Sequence, residues 1–120
     1  GILWVSFNQT LLCYHSKKQS IKPIPFSLKE KLKSFPGDIR VIKQDRKGNI
    51  WLGSEQAGLF VYDKTTKICK NYSHNPADSK SLPINVVRDI FFYDDNKVWI
   101  ATRKGLCIFY LDTQQFYTYT

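Results

Sequence analysis

Three tryptophans recur at a nearly constant spacing, and each lies in the same short pattern of residues. Trp4, Trp51 and Trp99 are 47 and 48 residues apart, and an aliphatic residue stands on both sides of each one. The match extends upstream, because Arg40 and Arg88 are also 48 residues apart. Self-similarity at a fixed period indicates a repeat architecture, in which each unit is one supersecondary structure.

Each repeat unit has the pattern of four short strands joined by polar turns, without helical periodicity. The first strand is rich in β-branched and aromatic residues, the second contains the tryptophan, the third begins at a glycine, and the fourth follows a polar turn. The two later units place these features in the first strands at 39–44 and 87–93, in third strands beginning at Gly58 and Gly105, and in fourth strands ending at Tyr72 and Tyr119. A period near 47 residues with four strands is typical of a β-propeller blade.

The sequence therefore predicts an all-β fold of β-propeller blades, built as four-stranded antiparallel units with a period of about 47–48 residues. We expect an incomplete propeller of roughly 2.75 blades. Its predicted parts are a partial blade (second to fourth strands) plus a basic connector in 1–34, a full blade and linker in 35–82, and a full blade in 83–120. Propellers close with about four to eight blades. We therefore expect a fragment of a longer protein, or copies of the chain that associate to complete a ring.

The net charge of the chain is +8, and the excess of lysine and arginine falls mainly in the first half. Such a stretch would attract nucleic acid or acidic lipid, but its simpler interpretation is a solvated connecting segment. No run of about 18 apolar residues is present, so we expect no membrane segment in this chain. The three cysteines are odd in number and have no CxxC spacing, which predicts neither a disulfide framework nor a zinc site. We expect no nucleic-acid partner and no metal.

The aromatic and cysteine residues are interpreted as core residues. The tryptophans recur at one strand position, which favours packing between blades over stacking on a sugar ring. Cys13, Cys69 and Cys107 fall on apolar strand positions, which favours burial over redox chemistry.

The remaining titratable residues do not form a catalytic pattern. His15 and His74 have no neighbouring ligand at metal-binding spacing, so we interpret them as surface residues. Asp94 and Asp95 are adjacent, which favours a hairpin turn over general acid–base catalysis. The sequence has no phosphate-binding glycine loop, nucleophile elbow or HExxH motif. We therefore expect that this segment is not an enzyme and binds no cofactor.

Two arginines and two loops are the candidates for ligand binding. Arg40 and Arg88 stand on the first strands, which would line the central channel of a propeller. They would donate bidentate hydrogen bonds to an acid or to sugar hydroxyl groups, satisfy backbone carbonyls, or pair with acids of adjacent blades. The loops after the tryptophan strands join the set because loops on a rigid scaffold often bind ligands. The predicted ligand-binding residues are Arg40, Arg88, Glu55, Gln56, Arg103 and Lys104.

The segment DRKGNIWLGS at 45–54, followed by GLFVYD at 58–63, resembles the two-component regulator propeller repeat. That repeat has an acidic-Gly-Asn turn, an aliphatic-Trp-aliphatic-Gly-Thr strand, and a Gly-Leu strand that ends in Asp. The linker at 72–76 and 81–90 is similar to the connector between blades of that family. The first unit lacks the glycine before its third strand, and the third unit has Asn96 and Ala101 where the repeat has glycine.

The resemblance implies the periplasmic sensor region of a Bacteroidetes hybrid two-component histidine kinase, many of which respond to oligosaccharides. Any kinase activity would then belong to another part of the parent protein. The expected partners are the remaining blades or a second copy of the chain, together with an oligosaccharide ligand. The alternative is a protein-interaction propeller without a small-molecule ligand. A propeller enzyme would require converging acids and histidines, which this chain does not present.

Overall fold

The computed structural model describes residues 2–7, 10–15, 20–22, 30–31 and 38–119, in which eleven strands form three antiparallel sheets. For the first three strands only the backbone pairing is described. The strands are β1 Ile2–Phe7, β2 Thr10–His15, β3 Ser20–Lys22, β4 Ile39–Gln44, β5 Ile50–Ser54, β6 Leu59–Tyr62, β7 Cys69–Tyr72, β8 Val87–Phe92, β9 Lys97–Thr102, β10 Gly105–Tyr110 and β11 Gln115–Tyr119.

Each sheet is a meander in which consecutive strands pair. The three sheets have the orders β1-β2-β3, β4-β5-β6-β7 and β8-β9-β10-β11. The predicted first strand of the second unit coincides with β4, and that of the third unit exceeds β8 by one residue. The prediction of an all-β fold built from four-stranded antiparallel blades is therefore confirmed. The predicted limits 1–34, 35–82 and 83–120 stay predictions.

The hairpins between the first and second strands are closed by aspartate carboxylates. Asp45 Oδ1 accepts hydrogen bonds from the backbone N–H groups of Lys47 and Asn49, at 3.0 and 2.9 Å. Gly48 adopts φ +88°, a left-handed conformation that glycine takes without steric cost. The next unit lacks this glycine, and there Asp94 Oδ1 accepts from two backbone N–H groups at 2.8 Å. The third unit therefore replaces the glycine turn by a turn that the side chain of aspartate stabilises.

The turns between the third and fourth strands repeat more closely. Lys67 and Gln114 have φ values of 61° and 56°, which are uncommon for residues other than glycine. The backbone N–H of each donates to a carbonyl oxygen four residues earlier, in Asp63 and Tyr110 respectively, at 2.7 Å in both turns. The same backbone conformation therefore recurs although the side chains differ.

The first strand of each complete sheet contacts the preceding sheet, as in adjacent blades of a propeller. β8 contacts both β4 and β5, and in the same way β4 contacts β1. Between the two complete sheets, Trp51 is 1% exposed and lies in a core cluster with residues of β8–β11. Its ring makes edge contacts with Phe92 and Phe109 at centroid distances of 5.6 and 5.9 Å. Aromatic pairs in this arrangement stabilise the fold by more than the burial of their apolar area alone.

The tryptophans differ in burial although they occupy equivalent strand positions. Trp51 is buried between two sheets, as predicted for a core residue. Trp99 is half-buried, because its ring lies on the face of the β8–β11 sheet that faces away from Trp51. There it contacts Tyr93 and stacks on Tyr119, with centroids 5.9 Å apart. The prediction for Trp4 falls on a side chain outside the described part of the chain.

The cysteines of the two complete sheets are free and buried, as predicted. Burial raises the pKa of the Cys69 thiol to about 11, against a smaller opposing influence of Lys31, and raises that of Cys107 to about 12. Neither thiol is therefore ionised at neutral pH. The side chain of Cys13 lies outside the description. In the described residues, no helix is long and apolar enough to cross a membrane.

Candidate functional site

The predicted ligand-binding residues stand at one end of the two complete sheets. Arg40 and Arg88 lie near the starts of β4 and β8, and the loops after β5 and β9 carry the others. The register of each first strand shifts across its arginine, so both arginines lie at β-bulges. A bulge bends the strand and redirects a side chain, and bulges are frequent beside functional sites. We refer to Arg40, Glu55, Gln56, Arg88, Arg103 and Lys104 as the arginine rim.

Three residues of the arginine rim line one cavity. Arg40 Nε donates to Glu55 Oε2 at 2.7 Å, and the backbone N–H of Glu55 donates to the carbonyl oxygen of Asp38 at 2.9 Å. Arg88 lines the same cavity from the neighbouring sheet. The volume of this cavity is about 290 Å³. An ion pair this exposed contributes about 0–1 kcal/mol to stability. The main consequence of this ion pair is therefore that it holds the Arg40 guanidinium in place and offsets its charge.

The other three residues of the arginine rim do not line this cavity. Gln56, Arg103 and Lys104 are exposed. The backbone N–H of Arg103 donates to the carbonyl oxygen of Val86 at 3.3 Å, and that of Lys104 to Thr102 Oγ1 at 3.2 Å. The loop is therefore held at the sheet end by its backbone, while its two cationic side chains extend into solvent.

A second ion pair joins the first strands of the two complete sheets. Lys43 Nζ of β4 lies 3.2 Å from Asp89 Oδ1 of β8. The pKa of Asp89 is lowered, first by the backbone N–H of Ile90, which donates to the carboxylate, and then by Lys43. Sequence reasoning missed this pair, because its formation depends on how adjacent sheets are staggered. Its consequence is that the carboxylate next to Arg88 in the chain is already engaged.

The opposite end of the sheets has a larger cleft, of about 620 Å³, between the turns that follow β4 and β8. Trp51 Nε1 donates to Asp45 Oδ2 at 3.0 Å inside it, and Arg46 pairs with Asp95 across it at 2.8 Å. The backbone N–H groups that donate to Asp94 lower the pKa of its carboxyl. These carboxylates are engaged in turns and ion pairs, which confirms the interpretation of Asp94 and Asp95 as hairpin residues.

His74 has a structural contact in the linker after β7. Its Nδ1 lies 2.8 Å from the carbonyl oxygen of Leu82, to which an N–H at that position donates. Within the described part of the chain, no group of three or more His, Cys, Asp or Glu side chains is placed to hold a metal ion. His15 lies outside the residues with described side chains.

The geometry defines blades of an antiparallel β-propeller, and one segment of the chain matches a known family of repeats. Residues 34–56 match the two-component regulator propeller family. The matched segment contains β4, β5, Arg40 and Glu55. The resemblance drawn from the sequence is therefore confirmed for this segment.

Solved structures share the fold across most of the chain. The extracellular domain assigned to the hybrid two-component system BT3049 of B. thetaiotaomicron has a TM-score of 0.75 and 23% identity, over 100% of this chain and 17% of its own. The extracellular domain assigned to the one-component system BT4673 of the same organism has a TM-score of 0.70 and 22% identity, over 89% of this chain and 13% of its own.

A curated relative is similar over most of this chain. Histidine kinase P4 of Formosa agariphila is 27% identical over 105 residues, which are 87% of this chain. The chain spans only 8% of the length of that relative.

Proposed function

We propose that the chain forms blades of an extracytoplasmic, ligand-sensing β-propeller in a two-component signalling system, with the propeller in the periplasm and a histidine kinase elsewhere in the same protein. The two-component regulator propeller repeat at 34–56 carries this proposal. The similarity to a histidine kinase over 87% of the chain supports it further. An oligosaccharide is the proposed ligand, and the arginine rim is its proposed contact surface.

In this proposal the blades bind the ligand and transmit the binding event to the kinase. The catalysed reaction takes place in the kinase. The cavity between Arg40, Glu55 and Arg88 spans two adjacent blades. A ligand in it would therefore contact both sheets at once, and its binding would favour one relative position of the blades. Such a ligand shifts the kinase only if it binds more tightly to one arrangement of the propeller than to the other.

We further propose that another blade packs on the open face of the β8–β11 sheet, either from the same protein or from a second copy. On the β4–β7 sheet the equivalent face holds Trp51 and is covered by the next blade. On β8–β11 that face carries Phe91, Leu106 and Tyr119, which are 64%, 40% and 58% exposed. Large apolar side chains grouped on one sheet face are typical of an interaction surface.

The experiment combines binding and output on a histidine kinase that carries these blades. A panel of oligosaccharides is screened by thermal unfolding, and autophosphorylation is measured with each one. We expect at least one oligosaccharide to raise the unfolding temperature and change the autophosphorylation rate. If no oligosaccharide does either, and only a purified protein partner changes the rate, the proposal is wrong and the protein-interaction propeller replaces it.

A further inference from the structure

The arginine rim is formally neutral on the first complete blade and positive on the second. On the β4–β7 blade the rim positions hold one cation, Arg40, and a carboxylate at Glu55. On the β8–β11 blade the equivalent positions, 48 residues later, hold Arg88 and Arg103, and Gln56 is replaced by Lys104. The residue that supports the loop also changes, from Asp38 to Val86. At these rim positions each charge difference makes the second blade more positive, while Asp89, which aligns with the uncharged Val41, pairs with Lys43 of the first blade.

The backbone geometry shows that these positions are structurally equivalent. Arg40 and Arg88 lie at equivalent β-bulges in the first strands of the two sheets. The backbone N–H of Glu55 donates to Asp38, and that of Arg103 donates to the residue 48 positions further on, Val86. Arg103 therefore occupies the position on its blade that Glu55 occupies on the preceding blade, where Glu55 pairs with Arg40. Where the first blade forms an ion pair, the second presents two guanidinium groups.

Within the described residues, the cationic side chains of the second blade's rim, Arg88, Arg103 and Lys104, form no ion pairs. The adjacent Asp89 accepts from the backbone of Ile90 and pairs with Lys43. Like charges at one sheet end repel each other, and a bound anion would relieve that repulsion.

We propose that the arginine rim of the β8–β11 blade, centred on Arg88 and Arg103, binds a carboxylate group of the ligand, and that the sensed oligosaccharide is therefore acidic. The guanidinium group offers paired N–H donors in a fixed plane that matches the two oxygens of a carboxylate. Arg88 lines the cavity shared with the Arg40–Glu55 pair, so the remainder of the ligand occupies a partly neutralised neighbouring surface. This inference rests on the proposed sensor function and specifies its ligand.

The test is an NMR titration of the full chain at about 50 mM salt, where exposed charges are weakly screened. The probes are digalacturonate, the matched neutral disaccharide digalactose, and inorganic sulfate. We expect digalacturonate to shift the backbone amides of Arg88 and Arg103 and to bind about tenfold more tightly than digalactose, since charge-assisted hydrogen bonds contribute on that order. Sulfate should shift the same amides at higher concentration.

Substitutions test whether binding depends on these particular residues or only on the overall positive charge of the chain. Arg103→Glu supplies the acid that Glu55 supplies on the preceding blade, and should weaken digalacturonate binding about tenfold, with a smaller loss for Arg103→Gln. Glu55→Gln releases Arg40 and should strengthen binding. Asp95→Asn is its matched control, because it releases Arg46 at the opposite end of the sheets and should leave the shifts of Arg88 unchanged.

Three results would overturn the anion site. Equal affinities for digalacturonate and digalactose at these residues would remove the charge preference and leave the sensor function intact. If none of the three probes shifts Arg88 or Arg103, or if Arg103→Glu binds digalacturonate as tightly as the unaltered chain, the rim of the second blade does not bind anions. The sensor function is tested separately by kinase output.

Discussion

Gly53 packs closely against the neighbouring sheet, and we predict that Gly53→Ala pushes the two complete sheets apart. An added Cβ would lie 2.5 Å from Cγ1 of Val41 and 2.5 Å from Cγ1 of Val87. Carbon atoms in favourable contact are about 3.5–4.0 Å apart, so the neighbours must yield by roughly 1 Å. Overpacking of this kind costs about 1–3 kcal/mol, while replacing glycine in a strand returns about 0.5–1 kcal/mol. The expected net loss in the free energy of unfolding is about 0–2.5 kcal/mol.

The assay is urea unfolding followed by tryptophan fluorescence. Val87→Ala in the Gly53→Ala background should recover part of the loss, which gives a coupling energy of about 0.5–3 kcal/mol between contacting residues. Ala101, the equivalent of Gly53 on the next blade, provides the control: Ala101→Gly should cost only about 0.5–1 kcal/mol. If Gly53→Ala shows no coupling with Val87 across the interface, the sheets do not pack as described.

Three further predictions concern burial and backbone conformation. Trp51→Ala should cost about 3–5 kcal/mol of unfolding free energy and Trp99→Ala clearly less, and equal losses would contradict the difference in their burial. Cys69 and Cys107, whose pKa values burial raises from 9.0 to about 11 and about 12, should react slowly with thiol reagents at pH 8. Since they ionise more readily in the unfolded chain, stability should fall as the pH rises above about 9, and a flat profile measured by urea unfolding would refute this. Gly58→Ala should cost at least about 1–2 kcal/mol in thermal unfolding, because φ is +83° there, and an unchanged midpoint would refute the assignment.

The strands and their order could be predicted from the sequence because the signals are local. β4 occupies the predicted range, and the third strands follow glycines at Gly58 and Gly105 with positive φ. Period-2 patterning and turn residues act within a few positions, and the 47–48-residue repeat supplied two aligned copies of each signal. The buried position of Trp51 followed from the same alignment.

The features that depend on contact between sheets could not be predicted. Trp99 is only half-buried, although its sequence context matches that of Trp51. The pairing of Lys43 with Asp89 and the bulges at Arg40 and Arg88 are also absent from the sequence pattern. The ion pair depends on how neighbouring sheets are staggered, and each bulge depends on the register between the first two strands of its own sheet. The residue pattern within one repeat encodes neither.

The candidate site could be predicted from the sequence only in part. The sequence proposed the six residues of the arginine rim as candidates, but it did not show that Glu55 pairs with Arg40 while Arg103 takes the equivalent position beside Arg88. The substitution is visible in the aligned repeats. Its electrostatic meaning required the geometry of the ion pair and of the loop that carries it.

Nuclear Overhauser contacts of the Trp51 indole in the full chain test the central structural claim most directly. If adjacent sheets pack as propeller blades, the indole protons will show contacts with the rings of Phe92 and Phe109, whose centroids lie 5.6 and 5.9 Å from its own. Contacts confined to residues of β4–β7 would mean that the sheets do not pack through Trp51. The shared cavity of the arginine rim would then lose its structural basis.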